Sequence, residues 1–337
     1  MKMDRYSRQI LFGQINKAGQ QRLSESTILI VGIGALGTVI SNQLVRAGIG
    51  RVRMIDRDVV ELSNLQRQIL FDEEDAEKSL PKAIAAKQKL EKVNNMVEIE
   101  AIIGNASRDN IEELTDGVDV VLDGTDNFAT RYLLNDICFK KNIPYSYGGV
   151  VSSRGMTAFF LPNKTPCLRC LSKEGTNGNQ TCDTVGVISP VVDMVSSLQV
   201  TETLKYLTNR DEYLRNTLRT FDIWFNQQYD IKLNKPDPNC PTCQLYQYPA
   251  LQKKAKEEEI VLCGRNTVQI HLLDQISLEQ LELKLSGIQS LNRTPFFLKA
   301  KINEEITLTI FPDGRVLVQG TEDQMYARTI YDRYIGS

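Results

Sequence analysis

Histidine is almost missing from this sequence, with His271 alone among 337 residues. Serine–histidine nucleophiles, histidine-ligated zinc and histidine acid–base chemistry each need a placed imidazole, so all three are excluded as the working chemistry. His271 itself lies in Val268-Gln-Ile-His-Leu-Leu, away from every motif described below, and reads as a structural residue. Long apolar runs are absent as well: none approaches the about 20 residues of a membrane-spanning helix. The opening Met1-Lys-Met-Asp-Arg-Tyr has no apolar stretch of the signal-peptide kind, which makes the cytoplasm the expected location. Charge of one sign is also lacking. A net charge of −2 gives neither nucleic acid nor a membrane surface anything to bind, so neither is an expected partner.

Cysteine is scarce, seven in all, yet four of the seven form two Cys-x-x-Cys pairs, Cys167/Cys170 and Cys240/Cys243. A two-residue gap lets one tight turn present both sulfurs to one metal, and two such pairs make a tetrahedral Cys₄ zinc site. The alternatives are redox use of each pair and coincidence of spacing. A reducing compartment disfavours disulfides, and with few competing cysteines Zn²⁺ is the expected ligand. The second pair sits in the turn-rich Pro236-Asp-Pro-Asn-Cys-Pro-Thr-Cys, so the metal would pin together two segments far apart in the chain.

The expected fold class is α/β, a doubly wound, mostly parallel Rossmann-like sheet with an antiparallel extension and a small α+β carboxy-terminal domain. The continuous apolar run over 27–33 reads as a strand buried on both faces. A helix follows over 34–48, then a strand over 51–55 ending at Asp56. The alternation continues with a helix over 81–93, strands over 97–103 and 118–122, a helix over 127–141 and a short strand near 144–147. Beyond residue 150 the pattern predicts antiparallel strands over 155–161 and 218–224, with a helix over 189–207 between them. That helix opens Ser-Pro and is expected to bury Val191, Met194, Val195 and Leu198. The domain reading is therefore 1–250, divided into a nucleotide-binding half (1–150) and a zinc-containing, carrier-binding half (151–250). The charge run in 251–260 serves as linker, and 261–337 forms the small domain.

Gly32-x-Gly34-x-x-Gly37 follows a predicted strand and opens a helix, the context that makes this motif a phosphate cradle. Asp56, at the end of the next strand, is placed to bind ribose hydroxyls. Taken alone, these features suit an NAD-dependent oxidoreductase. Hydride transfer, however, has no use for the donors that follow: Ser63, Asn64, Gln66, Arg67 and Gln68, and then Lys82 at a helix start. A triphosphate does use them, Arg67 through its planar fork and Lys82 as a point charge. Asp123-Gly-Thr125-Asp126-Asn127 ends another buried strand, and a carboxylate at that rim suits Mg²⁺. The structural alternatives are Asp126 as a helix cap and surface pairing of Arg67 and Lys82.

Taken in order, these residues resemble the HesA/MoeB/ThiF family of sulfur-carrier-protein adenylyltransferases, which are related to ubiquitin-activating enzymes. The resemblance covers roughly residues 4–248 and includes Arg5-Tyr-Ser-Arg8-Gln, the glycine motif, Ser63-Asn-Leu-Gln-Arg67-Gln, Pro81-Lys82, both cysteine pairs and Thr181-Cys182-Asp-Thr-Val-Gly186. It implies ATP, Mg²⁺ and Zn²⁺ as cofactors. Gly32, Gly34, Gly37 and Asp56 would hold the nucleotide, with Asn64, Arg67, Gln68, Lys82 and Asn127 around it and Asp126 on Mg²⁺. It further implies a homodimer in which Arg8 reaches the phosphates of the neighbouring subunit. The implied substrate is a ubiquitin-like sulfur carrier ending in Gly-Gly, whose carboxylate attacks the α-phosphate of ATP. With a pKa of about 3.5 that carboxylate is already an anion, so the reaction needs no general base. The molybdopterin-synthase small subunit is the expected carrier, and the thiazole carrier of thiamin biosynthesis is the alternative. At Cys182 a covalent carrier adduct and a spare loop thiol are both open. Charge removal at Arg67 or Lys82 is expected to lower pyrophosphate exchange far more than stability.

Overall fold

The computed structural model describes residues 3–172, 185–252, 259–262, 266–271, 275–288 and 290–336. The chain forms two compact units, Met1–Lys253 and Lys254–Ser337. Cys182 and Cys263 lie outside the described residues.

The first unit is built on eight strands: β1 (Thr27–Val31), β2 (Arg51–Asp56), β3 (Glu98–Ile103), β4 (Val120–Asp123), β5 (Tyr145–Val151), β6 (Arg154–Phe160), β7 (Thr217–Asp222) and β8 (Gln227–Lys232). Their order across the sheet is β3-β2-β1-β4-β5-β6-β7-β8. The first five are parallel, and β6 to β8 add antiparallel hairpins. The connection reverses between β1 and β4, the switch point where ligands collect in this architecture.

β1 shows why its apolar run is continuous. Ile28 and Ile30 enter one core with the helices Ala35–Ala47, Lys82–Val93 and Ser189–Leu207. Leu29 and Val31 enter the other core, with the helix Phe128–Lys141 and both cysteine turns. A strand covered on both faces has no polar side to alternate with.

The helix Ser189–Leu207 has the expected bounds but a different inner face. Val191 and Val195 are buried, whereas Met194 is 44% exposed. Polar Ser196, Gln199, Glu202 and Thr203 share the buried positions with Val192, Val200 and Leu207. Gln199 explains the substitution: its Nε2 donates to the carbonyls of Asp123 and Ser146, both at 3.0 Å, and so ties β4 to β5 from above. Apolar periodicity cannot register a residue whose burial is justified by two backbone carbonyls.

The second unit holds six antiparallel strands in the order β11-β12-β13-β14-β10-β9. They span Glu259–Leu262 (β9), Thr267–His271 (β10), Ser290–Arg293 (β11), Leu298–Lys301 (β12), Thr307–Ile310 (β13) and Arg315–Gln319 (β14). Two helices, Leu278–Lys284 and Gln324–Tyr334, are capped by Ser277 and Asp323. His271 ends β10 with its Nε2 at 3.2 Å from the Asp313 carbonyl, in the turn before β14.

Candidate nucleotide site and cysteine centre

The glycine loop joins β1 to the helix Ala35–Ala47, and its shape follows from contacts that admit no side chain. Gly32 has φ +87°, a left-handed conformation that glycine adopts without strain. A Cβ on Gly37 would lie 2.0 Å from the Gly32 carbonyl oxygen, and one on Gly124 would lie 2.2 Å from the same atom. Gly32, Gly37 and Gly124 therefore pack backbone to backbone, drawing the loops after β1 and β4 together at the switch point. Gly34 caps the helix and faces open space, with only Gln68 Nε2 within 4 Å of where a Cβ would stand.

Asp56 reaches this loop from the end of β2. Its Oδ2 accepts the Ile33 N–H at 2.6 Å and its Oδ1 accepts the Asp58 N–H at 2.7 Å. Burial pushes its pKa up, the Lys82 ammonium opposes that rise, and the Asp58 carboxylate adds to it. Lys82 begins its helix after Pro81 and is itself buried, with Nζ 3.2 Å from Asp58 Oδ2. Asp58 had no role in the sequence reading, yet it is the group that holds Lys82.

Asn64 closes a 3-10 turn over Leu62–Asn64, where its Oδ1 accepts the Glu61 N–H at 3.2 Å. Arg67 donates through NH1 to the Ser63 carbonyl at 3.0 Å, across the same turn. Gln68 is buried, and its Oε1 has no hydrogen-bond partner among the described residues. A buried amide oxygen beside the glycine loop is a ready acceptor for a ligand hydroxyl or a water. Arg8 is exposed on the helix Ser7–Leu11.

Asp126 is exposed after β4 and does not cap the next helix. The cap is Asn127, whose Oδ1 accepts the Thr130 N–H at 2.9 Å, so its amide already has a structural task. Within the loop, Asp123 is fully buried and accepts from the Thr125 N–H (2.8 Å), the Thr125 hydroxyl (2.6 Å) and the Tyr145 hydroxyl (2.7 Å). Burial still raises its pKa, against the pull of Arg131.

The four paired cysteines come together as their spacing predicts. Their sulfurs all lie within 4.8 Å of one another, with Cys167 Sγ 3.5 Å from Cys240 Sγ and Cys170 Sγ 3.4 Å from Cys243 Sγ. Tetrahedral zinc–thiolate geometry sets sulfurs about 3.8 Å apart, so the cluster fits a metal ion of that kind. Cys138, by contrast, is packed in the helix Phe128–Lys141, where burial pushes its thiol well above the ordinary value.

The cysteine centre is assembled around a residue the sequence does not advertise. Asp136, fully buried in the same helix, accepts from Arg169 on the first cysteine turn (2.9 and 3.0 Å) and from the Thr242 hydroxyl on the second (2.6 Å). It also accepts the Ala250 N–H at 2.8 Å. Next to it, Asn135 Oδ1 accepts the Leu168 N–H at 2.8 Å. Asp136→Ala strands a buried guanidinium and is expected to cost about 3–5 kcal/mol. Denaturant unfolding of the variant checks this, and an unchanged midpoint would refute the role.

These features agree with known proteins. A family model described as the ThiF family matches residues 6–242. The chain belongs to the ThiF family. It is 40% identical over 337 residues to the sulfur carrier protein ThiS adenylyltransferase of Bacillus subtilis (strain 168), covering 98% of this chain and 99% of that relative. It is 37% identical over 240 residues to the sulfur carrier protein ThiS adenylyltransferase of Escherichia coli (strain K12), covering 71% of this chain and 94% of that one. Among solved structures, E. coli MccB with MccA-N7isoASN has a TM-score of 0.64 at 23% identity, over 72% of this chain and 75% of that chain, a likeness of fold. Like its ThiF-family relatives, the chain is a nucleotidyltransferase. No helix among the described residues is long and apolar enough to cross a membrane.

Proposed function

We propose that this protein adenylates the carboxy-terminal Gly-Gly carboxylate of a ubiquitin-like sulfur carrier, and that the carrier is the one serving thiazole formation in thiamin biosynthesis. The observation that carries the choice of carrier is the match, through both units, to a ThiS adenylyltransferase. The second unit is part of that likeness, whereas the match to the E. coli relative stops at 71% of this chain. These names favour the thiazole carrier over the molybdopterin-synthase subunit expected from the sequence.

In this reading the nucleotide lies over the glycine loop, with Asp56 on the ribose and Gln68 and Asn64 lining the turn opposite. The carrier carboxylate attacks the α-phosphorus. The bond from that phosphorus to the bridging oxygen breaks, pyrophosphate leaves, and an acyl-adenylate remains. Arg67 and Lys82 stabilise the charge moving onto pyrophosphate. Arg8 adds a further cation from the neighbouring subunit of a homodimer. Asp126, an exposed carboxylate at the switch point, suits Mg²⁺, which when bound neutralises phosphate charge. Asn127 acts on the nucleotide only by fixing the helix beside it.

Residues 151–250 form the carrier-binding half, with the cysteine centre holding Zn²⁺ as its anchor. An apolar row on one sheet face supports this: Met156 pairs with Thr220, and Thr220 with Tyr229. Met156, Tyr229 and Ile231 are 39%, 60% and 52% exposed. That much uncovered apolar sheet is a feature of protein-binding surfaces. Whether Cys182 carries the acyl group is read from a covalent carrier adduct that disappears in Cys182→Ala.

The deciding experiment is ATP–pyrophosphate exchange with a thiazole carrier and a molybdopterin-synthase carrier in turn. Exchange is expected with the first. Exchange with the second alone would overturn the pathway, and exchange with neither would overturn the substrate class.

A further inference from the structure

β4 and β5 are hydrogen-bonded as parallel strands for only two residue pairs, Val121–Tyr145 and Leu122–Ser146. Beyond Leu122 no further pair forms, and the opening lies at the carboxyl end of β4, in the stretch leading to Asp126. Gln199 bridges its inner end, from the Asp123 carbonyl to that of Ser146, and Arg131 bridges it further out. Arg131, on the first turn of the helix Phe128–Lys141, is 6% exposed. Its NH2 donates to the Thr125 carbonyl at 2.8 Å, on the loop after β4, and to the Gly148 carbonyl at 3.2 Å, in β5. Its Nε lies 3.5 Å from Asp123 Oδ2, an ion pair too long to be a good hydrogen bond. The guanidinium is also held over two rings, Phe128 at 5.1 Å and Tyr147 at 5.4 Å.

A buried cation is an expensive way to fill a gap that leucine or methionine would fill as well, because desolvation of the charge offsets much of what its partners return. What an arginine supplies and an apolar residue cannot is a planar, rigidly held amino group, NH2, that donates to both carbonyls at once. The first of those carbonyls belongs to the residue immediately before Asp126. Asp123 is committed to Thr125 and Tyr145 and holds the root of the loop. Arg131 holds its tip, and Asp126 follows as the exposed carboxylate.

We propose that Arg131 is a positioning residue for the nucleotide-bound divalent cation: by clamping the Thr125 and Gly148 carbonyls it fixes where the Asp126 carboxylate stands. This rests on the nucleotide reading above and adds to it the group that sets the cation site's geometry. Arg131 acts through the backbone of the loop and touches neither ATP nor cation.

The test measures ATP affinity of the full chain with and without Mg²⁺, in the absence of carrier. Wild type, Arg131→Lys, Asp126→Asn and the double variant are compared. Arg131→Lys keeps the charge and replaces the planar guanidinium, whose NH2 reaches both carbonyls, by a shorter, freely rotating ammonium. It is expected to leave Mg²⁺-free ATP affinity unchanged and to weaken the Mg²⁺-dependent part by about tenfold, the lower end of the loss usual when a group orienting a metal ligand is altered. In the Asp126→Asn background the same change should cost nothing further, because both act on one ligand position. Wild-type Mg²⁺ dependence in Arg131→Lys, or losses that add in full, would overturn the proposal. So would an equal loss without Mg²⁺, which is what a merely structural role predicts. If Arg131→Lys does not give a cooperative melt, Phe128→Leu, which removes one flanking ring and keeps the guanidinium, takes its place. It should shift Mg²⁺ dependence in the same direction, and no shift would count against the clamp. Mg²⁺-independent ATP binding in the wild type would defeat the cation reading itself, an outcome separate from these.

Discussion

Arg67→Met is expected to lower carrier-dependent pyrophosphate exchange on the order of a hundredfold to a thousandfold, the loss usual when one preorganised stabiliser of developing charge is removed. Its melting temperature should scarcely move. Arg67 is only partly buried and its bond to the Ser63 carbonyl spans one short local turn, so its removal is expected to cost less stability than removal of a fully buried charge. Exchange at the wild-type rate with the carrier present would refute the assignment. Lys82→Met is a different experiment, and here the structure changes what the sequence led one to expect. Lys82 is 3% exposed and paired with Asp58, and it also opposes the burial-driven rise in the Asp56 pKa. Removing it takes a buried charge from its partner and costs stability as well as activity. Only at Arg67 do the two effects separate.

Cys240→Ser is expected to abolish stoichiometric metal binding and to lower the melting temperature by about 10 °C or more. That drop corresponds to a loss of several kcal/mol in a domain of this size, well within what structural zinc contributes. The reason for so large an effect is topological. The two cysteine turns are joined by the four sulfurs and, beneath them, by Asp136. With one sulfur gone, Asp136, helped on the first turn by Asn135, must hold both turns against the helix Phe128–Lys141. Metal analysis of the purified wild-type protein, with release by a thiol-reactive reagent, measures the first part, and a thermal melt the second. Wild-type protein purified from zinc-replete culture without bound zinc would refute the site. A Cys240→Ser melt equal to wild type would refute its structural role.

Much of the first unit was legible because the signals are local. A strand buried on both faces must be apolar throughout, and a strand-to-helix turn this tight must be glycine where Gly32 takes φ +87° and Gly37 meets it. β8 was not legible. All six of its residues are exposed at the sheet edge, so Gln227–Lys232 carries no pattern of burial to read. In the second unit β11 escaped for the same reason: Ser290–Arg293 is a largely exposed edge strand. The inner face of Ser189–Leu207 was misread at Met194, because Gln199 is buried for its hydrogen bonds and not for its apolar surface.

By itself the sequence determined that the chain is an α/β protein with a glycine-rich turn after its first strand, a set of cations after it and two metal-spaced cysteine pairs. Each of these follows from residues close together in the chain. Only the tertiary structure decided which groups hold that machinery in place: Asp58 on Lys82, Asp136 under the two cysteine turns, Gln199 across β4 and β5, and Arg131 in the gap beyond them. The physical reason is that a buried polar side chain is tolerated only where its partners are, and those partners come from distant segments that meet only when the sheet is assembled.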